Sequence, residues 1–322
     1  MIYTMAWAIS VCAYHLLANF NHRIANGLPR EVNLEDEVVL ITGGAGGLGG
    51  LIAEVYGMRG VSVAVLDVKK PAGEQIEGVE YYECDIGNAE DVQHVKAKIL
   101  NDLGQPSIVI NCAAAPIHGD TFLDLSANNF AKTINANFLG AVNILRAFLP
   151  GLIESETGGT FVTVSSVLAH LCPANLSDYA ASKAALSALH KSLAMELRQM
   201  GNTNVKALLV EPGQLGTTLF GWLETPNRFF APVVETRELA KEIIARVDAG
   251  DGGVLRMPFY ADWFSWYTVL PASFQILTRR LSHVDVVMAK SRDKRAMPSS
   301  ILKTRNVVNS EDDGVVVEKD IL

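Results

Sequence analysis

The sequence predicts an α/β fold, namely a single doubly wound parallel sheet with helices on both faces. Short runs of β-branched and aliphatic residues, typical of strands buried on both sides, alternate with longer segments of helical periodicity. A glycine-rich turn follows the first of these runs. Polar residues end several later runs, at the sheet edge where such folds bind ligands. An apolar N-terminal helix and a C-terminal helical extension are expected to flank the sheet.

The length of 322 residues is compatible with one domain plus extensions, and the net charge of −8 without a basic stripe argues against a nucleic-acid partner. Four scattered cysteines lack metal-ligand spacing, which predicts buried free thiols in a reducing compartment, with no metal site and no disulfides. The predicted segments are a membrane-anchor candidate at 1–20, a linker at 21–36, a dinucleotide-binding domain at 37–257, an aromatic helical extension at 258–295 and a disordered acidic tail at 296–322.

The N-terminal segment, Met1 to Phe20, is apolar and nearly uncharged. As a helix it would measure about 30 Å, the thickness of a bilayer core. Arg23 and Arg30 follow it, which favours a cytosolic location for the rest of the chain. A helix lying flat on the membrane and an N-terminal core helix are alternatives. A cleaved signal peptide is disfavoured because no Lys or Arg precedes the apolar run.

The first candidate site is the glycine turn from Thr42 to Gly49, between a buried strand and an apolar-faced helix. Bare backbone followed by free helical N–H groups suits a pyrophosphate, although an ordinary tight turn has the same pattern. The next strand ends at Asp67, where a carboxylate would bind a ribose 2′-hydroxyl and repel a 2′-phosphate. This favours NAD over NADP, and Lys69 and Lys70 keep NADP open as an alternative.

Two further strand ends carry polar residues. One strand ends before Asp85 and Ile86, where an adenine contact competes with helix capping, a role that Asn88 already fills. Another ends at Asn111, and a helix beginning near Ser126 follows it. Asn137 lies on the apolar side of that helix, where an unpaired amide would cost about 1 to 3 kcal/mol. It should therefore have a partner, either in packing or in catalysis.

The strongest constellation follows the fifth predicted strand, which ends at Ser166. Tyr179 and Lys183 lie four residues apart in the next helix and therefore share one face. An ammonium near a phenol favours the phenolate, which would bring the tyrosine pKa from about 10 toward a working pH. A Tyr and Lys pair is common in helices, and Ser166 upstream makes the set specific.

The candidate residues from Thr42 to Lys183 are followed along the chain by Pro212-Gly213 and Thr217. Taken in this order, they resemble the pattern of the short-chain dehydrogenase/reductase family over about residues 36–256. The flanking apolar segments resemble its membrane-associated branch, which includes retinol dehydrogenases and lipid-droplet seventeen-beta-hydroxysteroid dehydrogenases. The resemblance implies a Rossmann-type sheet, with Tyr179 as general acid/base and Lys183 lowering its pKa while holding the nicotinamide ribose. It also implies that Ser166 bonds the substrate oxygen and that Asn137 anchors a water in a proton relay.

The same resemblance implies an NAD site. Its expected residues are Thr42, Gly43, Gly47, Leu48, Gly49, Asp67, Asp85, Ile86, Asn111, Tyr179, Lys183, Pro212, Gly213 and Thr217. Two features depart from the family pattern. The usual Asn-Asn-Ala-Gly is Asn111-Cys112-Ala113-Ala114 here, which removes a glycine. Gly43, Gly46 and Gly49 also match the register of extended, epimerase-like relatives, whereas the Ser166-to-Tyr179 spacing and the short C-terminal part favour the shorter type.

Two aromatic segments suggest a lipophilic substrate. Residues 219–230 are predicted to form an apolar lid, although core packing is an alternative. Residues 259–280 are rich in aromatics and end in Arg279 and Arg280, as in a membrane-surface helix, with docking onto the domain as an equal alternative.

The prediction is therefore an NAD-dependent oxidoreductase that interconverts an alcohol and a carbonyl on a retinoid, steroid or long-chain alcohol. We expect it on the endoplasmic reticulum or lipid droplet, facing the cytosol and forming a homodimer. The alternative is a catalytically silent, membrane-bound NAD-binding scaffold. The complete Ser, Tyr, Lys and Asn set argues against that alternative.

Overall fold

The computed structural model describes residues 2–71, 76–217, 219 and 232–289. Seven parallel strands form one sheet in the order β3-β2-β1-β4-β5-β6-β7. The strands are β1 (Val38–Thr42), β2 (Ser62–Asp67), β3 (Val79–Glu83), β4 (Ile108–Asn111), β5 (Gly159–Val164), β6 (Val205–Pro212) and β7 (Gly253–Met257). The order reverses between β1 and β4, which opens a crevice at their carboxyl ends. The predicted α/β class is confirmed.

Helices cover both faces of the sheet, as the alternation of strand and helix patterns predicts. The helices are α1 (Ile2–Asn26), α2 (Gly47–Met58), α3 (Ala89–Asp102), α4 (Ala127–Ile134), α5 (Gly140–Glu154), α6 (Leu168–Leu171), α7 (Ser177–Gln199), α8 (Thr236–Asp248), α9 (Ala261–Tyr267) and α10 (Ala272–Ser282). One face packs α2 against α8, and the other packs α3 against α5. Aliphatic strand residues point alternately into the two resulting cores, so the central strands are buried on both sides.

Local signals in the sequence mark two helix starts correctly. The Asn88 side chain caps α3 by accepting a hydrogen bond from the Glu90 amide, and Ser126 caps α4 in the same way. The helical segment that begins at α4 continues through Pro150 to Glu154, beyond the predicted end near that proline. A π-helical turn, Asn135–Leu139, joins α4 to α5.

Within the described residues, one helical stretch is long and apolar enough to cross a membrane, and it is Ala127–Glu154. This stretch is a core element of the domain, because Ile144 and Phe148 on its inner face are completely or almost completely buried. Its hydropathy therefore reflects packing against the sheet. The N-terminal helix α1 does not meet the same criterion over its described residues.

Helix α1 forms as expected but differs from a core helix, because its large apolar side chains are exposed. Trp7, Leu16 and Phe20 are each about two-thirds exposed or more. The helix extends to Asn26, six residues into the predicted linker, and Arg23 at its end pairs with Asp251 at 2.6 Å. The domain thus holds the C-terminal end of the helix.

The remainder of the predicted linker is anchored to the sheet. The Arg30 guanidinium is buried and binds both carboxylate oxygens of Glu37, at 2.7 and 2.9 Å. It also donates to the Thr160 hydroxyl of β5 at 2.9 Å, and Ser107 donates to Glu37. This segment therefore fixes the chain that leads to α1 against the amino-terminal edge of the sheet.

The C-terminal extension is helical, as predicted, with α9, α10 and a further helical segment at residues 284–289. Tyr267, Val284 and Met288 are buried, so part of the extension docks on the domain. Trp263 and Trp266 remain more than 70% exposed on the outer side. The predicted acidic tail and most of the predicted aromatic lid, including Trp222, lie outside the described residues.

Candidate active site

The glycine turn lies at the crevice between β1 and β4, where the strand order reverses. Gly43 has a φ of +68°, and a Cβ there would come within 2.6 Å of the Ala113 backbone. A Cβ on Gly49 would lie 2.5 Å from the Gly43 carbonyl oxygen. Gly46 and Gly47 face open space, and a side chain there would enter it. The turn thus combines close internal packing with bare backbone toward the crevice, which fits a pyrophosphate.

Asp67 lies at the end of β2, beside this turn. Its carboxylate accepts hydrogen bonds from the Ala45 amide at 3.1 Å and from the Lys69 amide at 3.0 Å. The carboxylate is therefore oriented next to the glycine turn, although the two are 22 residues apart in sequence. Leu48 in the first turn of α2 is buried under the glycines and supports the turn from the core side.

A second pair of predicted residues meets across β1 and β4. The Thr42 hydroxyl lies 3.5 Å from the Asn111 side-chain oxygen and accepts from the Ala113 amide at 3.3 Å. The Asn111 side-chain nitrogen is buried and has no hydrogen-bond partner within the described residues. A buried donor without a protein partner is what the acceptor of a bound ligand would satisfy.

An open cavity of about 810 Å³ connects the glycine turn to the segment after β6. Gly47 and Thr217 both line it, as does Thr236 at the start of α8. The structure thus places Gly47 and Thr217, which are 170 positions apart in sequence, along one cavity, as the predicted site for a single cofactor requires. Pro212 and Gly213 continue this edge at the end of β6, and the Gly213 amide donates to the Met257 carbonyl at 2.7 Å.

Asp85 and Ile86 lie farther along the same edge, after β3. The Asp85 carboxylate is exposed and accepts from the Gly87 amide at 2.9 Å, so it caps its own turn. The Ile86 side chain is buried, and its carbonyl accepts from Asn143 at 2.9 Å. Both residues border the crevice, and the adenine contact remains a prediction.

Ser166 and Tyr179 come together, although a helical turn and a loop separate them in sequence. Both side chains are buried, and their hydroxyls are hydrogen-bonded. Ser166 also lies 3.4 Å from the Pro212 carbonyl and accepts from the Leu168 amide at 3.1 Å. Burial raises the pKa of Tyr179 above its usual value, and the bond to Ser166 opposes that rise.

Lys183 reaches the same site from one turn farther along α7. Its ammonium donates to the Val164 carbonyl at 2.8 Å and lies over the Tyr179 ring, 5.7 Å from the centroid. Burial lowers the pKa of Lys183 to about 8. The effect of Lys183 on the pKa of Tyr179 stays a prediction, since in this structure burial dominates the pKa of the phenol and the amine lies over the ring.

Asn137 lies in the π-helical turn and is buried, with both ends of its amide satisfied. Its oxygen accepts from the Ala115 amide at 2.6 Å, and its nitrogen donates to Ser182 at 2.9 Å. Ser182 in turn donates to the Tyr179 carbonyl at 2.7 Å. The predicted partner thus exists, and Asn137 connects the segment after β4 to the helix that carries Tyr179. Such π-turns occur frequently at functional sites.

Two features of the site have no clear signal in the sequence. Cys112 lies near Lys183, and burial raises the pKa of its thiol to about 12. The fully buried Glu211 binds His170 at 3.0 Å, Ser187 at 2.9 Å and Arg256 at 2.8 Å. Burial alone would raise the pKa of Glu211, but these partners outweigh it and lower the pKa to about 2.

The Glu211 cluster packs against helix α7. The Ser187 hydroxyl also lies 2.8 Å from the Ser165 hydroxyl, and Ser165 donates to the Lys183 carbonyl at 2.8 Å. The cluster therefore supports the backbone of α7 at Lys183. No spacing rule connects its members, because they come from four separate elements.

Comparison with known proteins identifies the family. The family profile described as short chain dehydrogenase matches residues 37–226, more than half of the chain. The chain belongs to the short-chain dehydrogenase family. An uncharacterized oxidoreductase of Saccharomyces cerevisiae is 30% identical over 264 residues, which cover 80% of this chain and 85% of the relative.

Other relatives of this chain have names that belong to the predicted branch of the family. Epidermal retinol dehydrogenase 2 of Mus musculus is 30% identical, covering 67% of this chain and 72% of its own. Human 17-beta-hydroxysteroid dehydrogenase 13 is 28% identical, covering 67% and 73%. Among solved structures, a D-mannonate oxidoreductase from Haemophilus influenza with bound NAD has a TM-score of 0.63 at 21% identity, covering 74% of this chain and 98% of its own. This last similarity supports the fold.

Proposed function

We propose that this short-chain dehydrogenase interconverts an alcohol and a carbonyl on a lipophilic substrate, with NAD as hydride carrier. The observation that carries the proposal is the convergence of the Ser166 and Tyr179 hydroxyls and the Lys183 ammonium beside a glycine crevice. A phenol that is hydrogen-bonded to a second hydroxyl can exchange a proton with a substrate oxygen. NAD, when bound, supplies the hydride acceptor of the oxidation.

Residues of this chain would bind the substrate oxygen, transfer the proton and hold the cofactor ribose. Ser166 would hold the substrate oxygen within reach of Tyr179, and Tyr179 would donate the proton in the reduction direction. Burial keeps this phenol protonated at neutral pH, which suits an acid. The ammonium of Lys183 would bind ribose hydroxyls and favour the phenolate in the oxidation direction. Asn137 would anchor a water in a proton relay.

The lipophilic substrate class rests on two observations. Relatives within the family carry retinol dehydrogenase and hydroxysteroid dehydrogenase names. The extension that docks beside the site presents large apolar side chains, including Trp263 and Phe274, both more than half exposed. A surface of this kind suits a membrane or an apolar partner. A retinoid, a steroid and a long-chain alcohol all fit this description.

The test is a panel of retinoids, hydroxysteroids and long-chain alcohols offered to the detergent-solubilised full chain with NAD and with NADP. We expect NADH fluorescence to rise with at least one member. The second candidate, a silent NAD-binding scaffold, predicts NAD binding by calorimetry with no turnover of any member, in either direction. That result would overturn the dehydrogenase proposal.

Cofactor choice should depend on Asp67. Replacing Asp67 with serine removes the charge that would repel a 2′-phosphate, while Lys69 and Lys70 remain beside it. We expect the ratio of kcat/KM for NAD over NADP to fall by about tenfold or more, since two like charges at short range cost on the order of 1 kcal/mol or more. The measurement is steady-state kinetics with both cofactors.

Glu83 provides a matched control for this change. It ends β3 directly opposite Asp67 in the sheet register and carries the same charge, but it makes no bond to the glycine turn. Glu83→Gln should change the cofactor ratio clearly less than Asp67→Ser, because Glu83 lines the same pocket but, within the described residues, makes no bond to the glycine turn. An equal change in both variants would mean that general charge, and not the Asp67 contact, sets the preference.

We also propose that the protein is attached to a membrane through α1, with the catalytic domain in the cytosol. The exposed apolar side chains of α1 support this, and the domain holds the C-terminal end of the helix near Arg23. Deleting residues 2–20 should abolish most flotation with phosphatidylcholine vesicles and leave NAD binding unchanged. If the truncated protein still floats, the aromatic extension is the attachment site. Imaging in cells would then separate the endoplasmic reticulum from the lipid droplet.

A further inference from the structure

The loop between the two catalytic hydroxyls has an unusual backbone. Residues 171–175 connect α6, just after Ser166, to the start of α7, which carries Tyr179. Cys172 and Asn175 both have left-handed backbone angles, with φ of 46° and 65°. Non-glycine residues adopt such angles at a cost, and they persist where surrounding contacts impose them. The loop therefore needs an external support.

The support comes from the C-terminal extension, more than 100 residues later in the chain. Arg279 of α10 donates to the Leu171 carbonyl at 2.6 Å and to the Cys172 carbonyl at 3.2 Å. Asp285 accepts from the Ala174 amide at 2.9 Å. These two residues thus bind three backbone groups of the loop, on both sides of the left-handed Cys172.

Arg279 and Asp285 also bind each other in a fork. The guanidinium donates to both carboxylate oxygens, at 2.9 and 2.6 Å, and the pair is only partly exposed. A two-pronged arginine–carboxylate pair fixes direction as well as distance. We name this pair and its bonds to the loop the latch.

The latch is the main polar attachment of α10. All eleven residues of α10 are described and none is buried, so its apolar side chains do not hold it to the domain. Apolar docking occurs on either side of it, at Tyr267 before and at Val284 and Met288 after. Helix α9 packs on α6, and Tyr260 contacts Gly213. The extension therefore forms a wall beside Ser166, Tyr179 and the end of β6.

We propose that Arg279 and Asp285 are positioning residues that determine substrate specificity, because they hold the extension and loop 171–175 together as the substrate-side wall of the site. This inference rests on the proposed dehydrogenase function. A bulky lipophilic substrate must contact this wall, whereas NAD binds at the opposite, glycine-lined side of the crevice. Loosening the latch should therefore affect the substrate and spare the cofactor.

Arg279→Gln tests the proposal, and Arg280→Gln is its matched control. Arg280 is the adjacent residue, carries the same charge, is exposed and makes no ion pair within the described part of the chain. We expect R279Q to raise KM for the best alcohol of the panel by about tenfold with kcat changed less than twofold, the pattern of lost binding shared by ground and transition states. R280Q should change neither, and the NAD Kd should stay constant in both variants.

Three further kinds of variant and a hydrogen-exchange measurement distinguish the loss of the latch from a general loss of stability. Asp285→Asn should reproduce R279Q, and the double variant should be no worse than either single one, because both remove the same contact. Arg279→Lys, which keeps the charge but not the fork, should recover only part of the KM. Hydrogen exchange at residues 172–176 and 284–289 should accelerate in R279Q and not in R280Q.

The outcomes are distinct. Equal KM values and equal hydrogen-exchange rates in R279Q and R280Q would overturn the proposal that the latch holds the loop. Faster exchange in R279Q with an unchanged KM would keep the structural attachment but overturn its role in specificity. If the wild-type chain turns over no alcohol, the dehydrogenase proposal fails. The specificity role would fail with it, whereas the exchange data would still report whether the pair holds the loop.

Discussion

Replacing Tyr179 with phenylalanine is expected to lower turnover by a factor on the order of 10² to 10⁴, the range over which a general acid or base contributes. The substitution removes one hydroxyl oxygen and keeps the ring, which is buried between α7 and the sheet. The phenol is hydrogen-bonded to Ser166, and the Lys183 ammonium lies over the ring face. Loss of the hydroxyl should therefore affect proton transfer and leave packing intact.

The control for this prediction is cofactor affinity. The glycine turn, Asp67 and Asn111 all remain in Tyr179→Phe, so the Kd for NADH, measured by fluorescence titration, should change less than about threefold, equivalent to well under 1 kcal/mol. Thermal unfolding should also be nearly unchanged. Turnover close to that of the wild type would refute the role of Tyr179, and a parallel loss of NADH binding would indicate misfolding.

Replacing Arg30 with methionine is expected to lower the free energy of unfolding by about 3 to 5 kcal/mol, because it leaves the Glu37 carboxylate buried without its cation. Both side chains are less than 10% exposed, and Arg30 makes two bonds to Glu37 and one to Thr160. For a domain of this size the melting temperature should fall by roughly 10 °C. Thermal unfolding of the detergent-solubilised full chain measures this.

The double variant Arg30→Met with Glu37→Gln distinguishes a buried charge from lost packing. Neutralising the carboxylate removes the uncompensated charge, so more than half of the lost stability should return. If the double variant is less stable than Arg30→Met alone, the packing of the methylenes explains the loss. A change below about 1 kcal/mol in the single variant would mean that water reaches the pair, as at exposed ion pairs.

The sequence predicts the helix starts and the strand ends well because their signals are local. Asn88 and Ser126 mark helix starts through bonds within three residues. Parallel strands place their carboxyl ends on one edge, so residues that end strands converge even when they are far apart in sequence. This is why Thr42, Asp67 and Asn111 meet at one crevice, as predicted.

The pKa shifts of the site residues could not be predicted from the sequence and became clear only in the structure. Lys183 and Tyr179 share a helix face, as their spacing predicts, yet the amine binds the Val164 carbonyl and burial controls both pKa values. Helical spacing gives proximity, whereas the degree of desolvation depends on what the rest of the chain packs around the pair. The π-helical turn at Asn137 was likewise not predicted, because helix α4 before it is too short for its apolar pattern to reveal the change of phase that one inserted residue causes.

By itself the sequence determined the α/β class, the glycine crevice and the set of Ser166, Tyr179 and Lys183, because each depends on a short-range pattern and on the common edge of a parallel sheet. Only the tertiary structure revealed the Arg30 to Glu37 pair and the latch of Arg279 and Asp285 on residues 171–174. These contacts depend on the three-dimensional paths of two chain extensions, and no periodicity or composition specifies which group a charged side chain will meet.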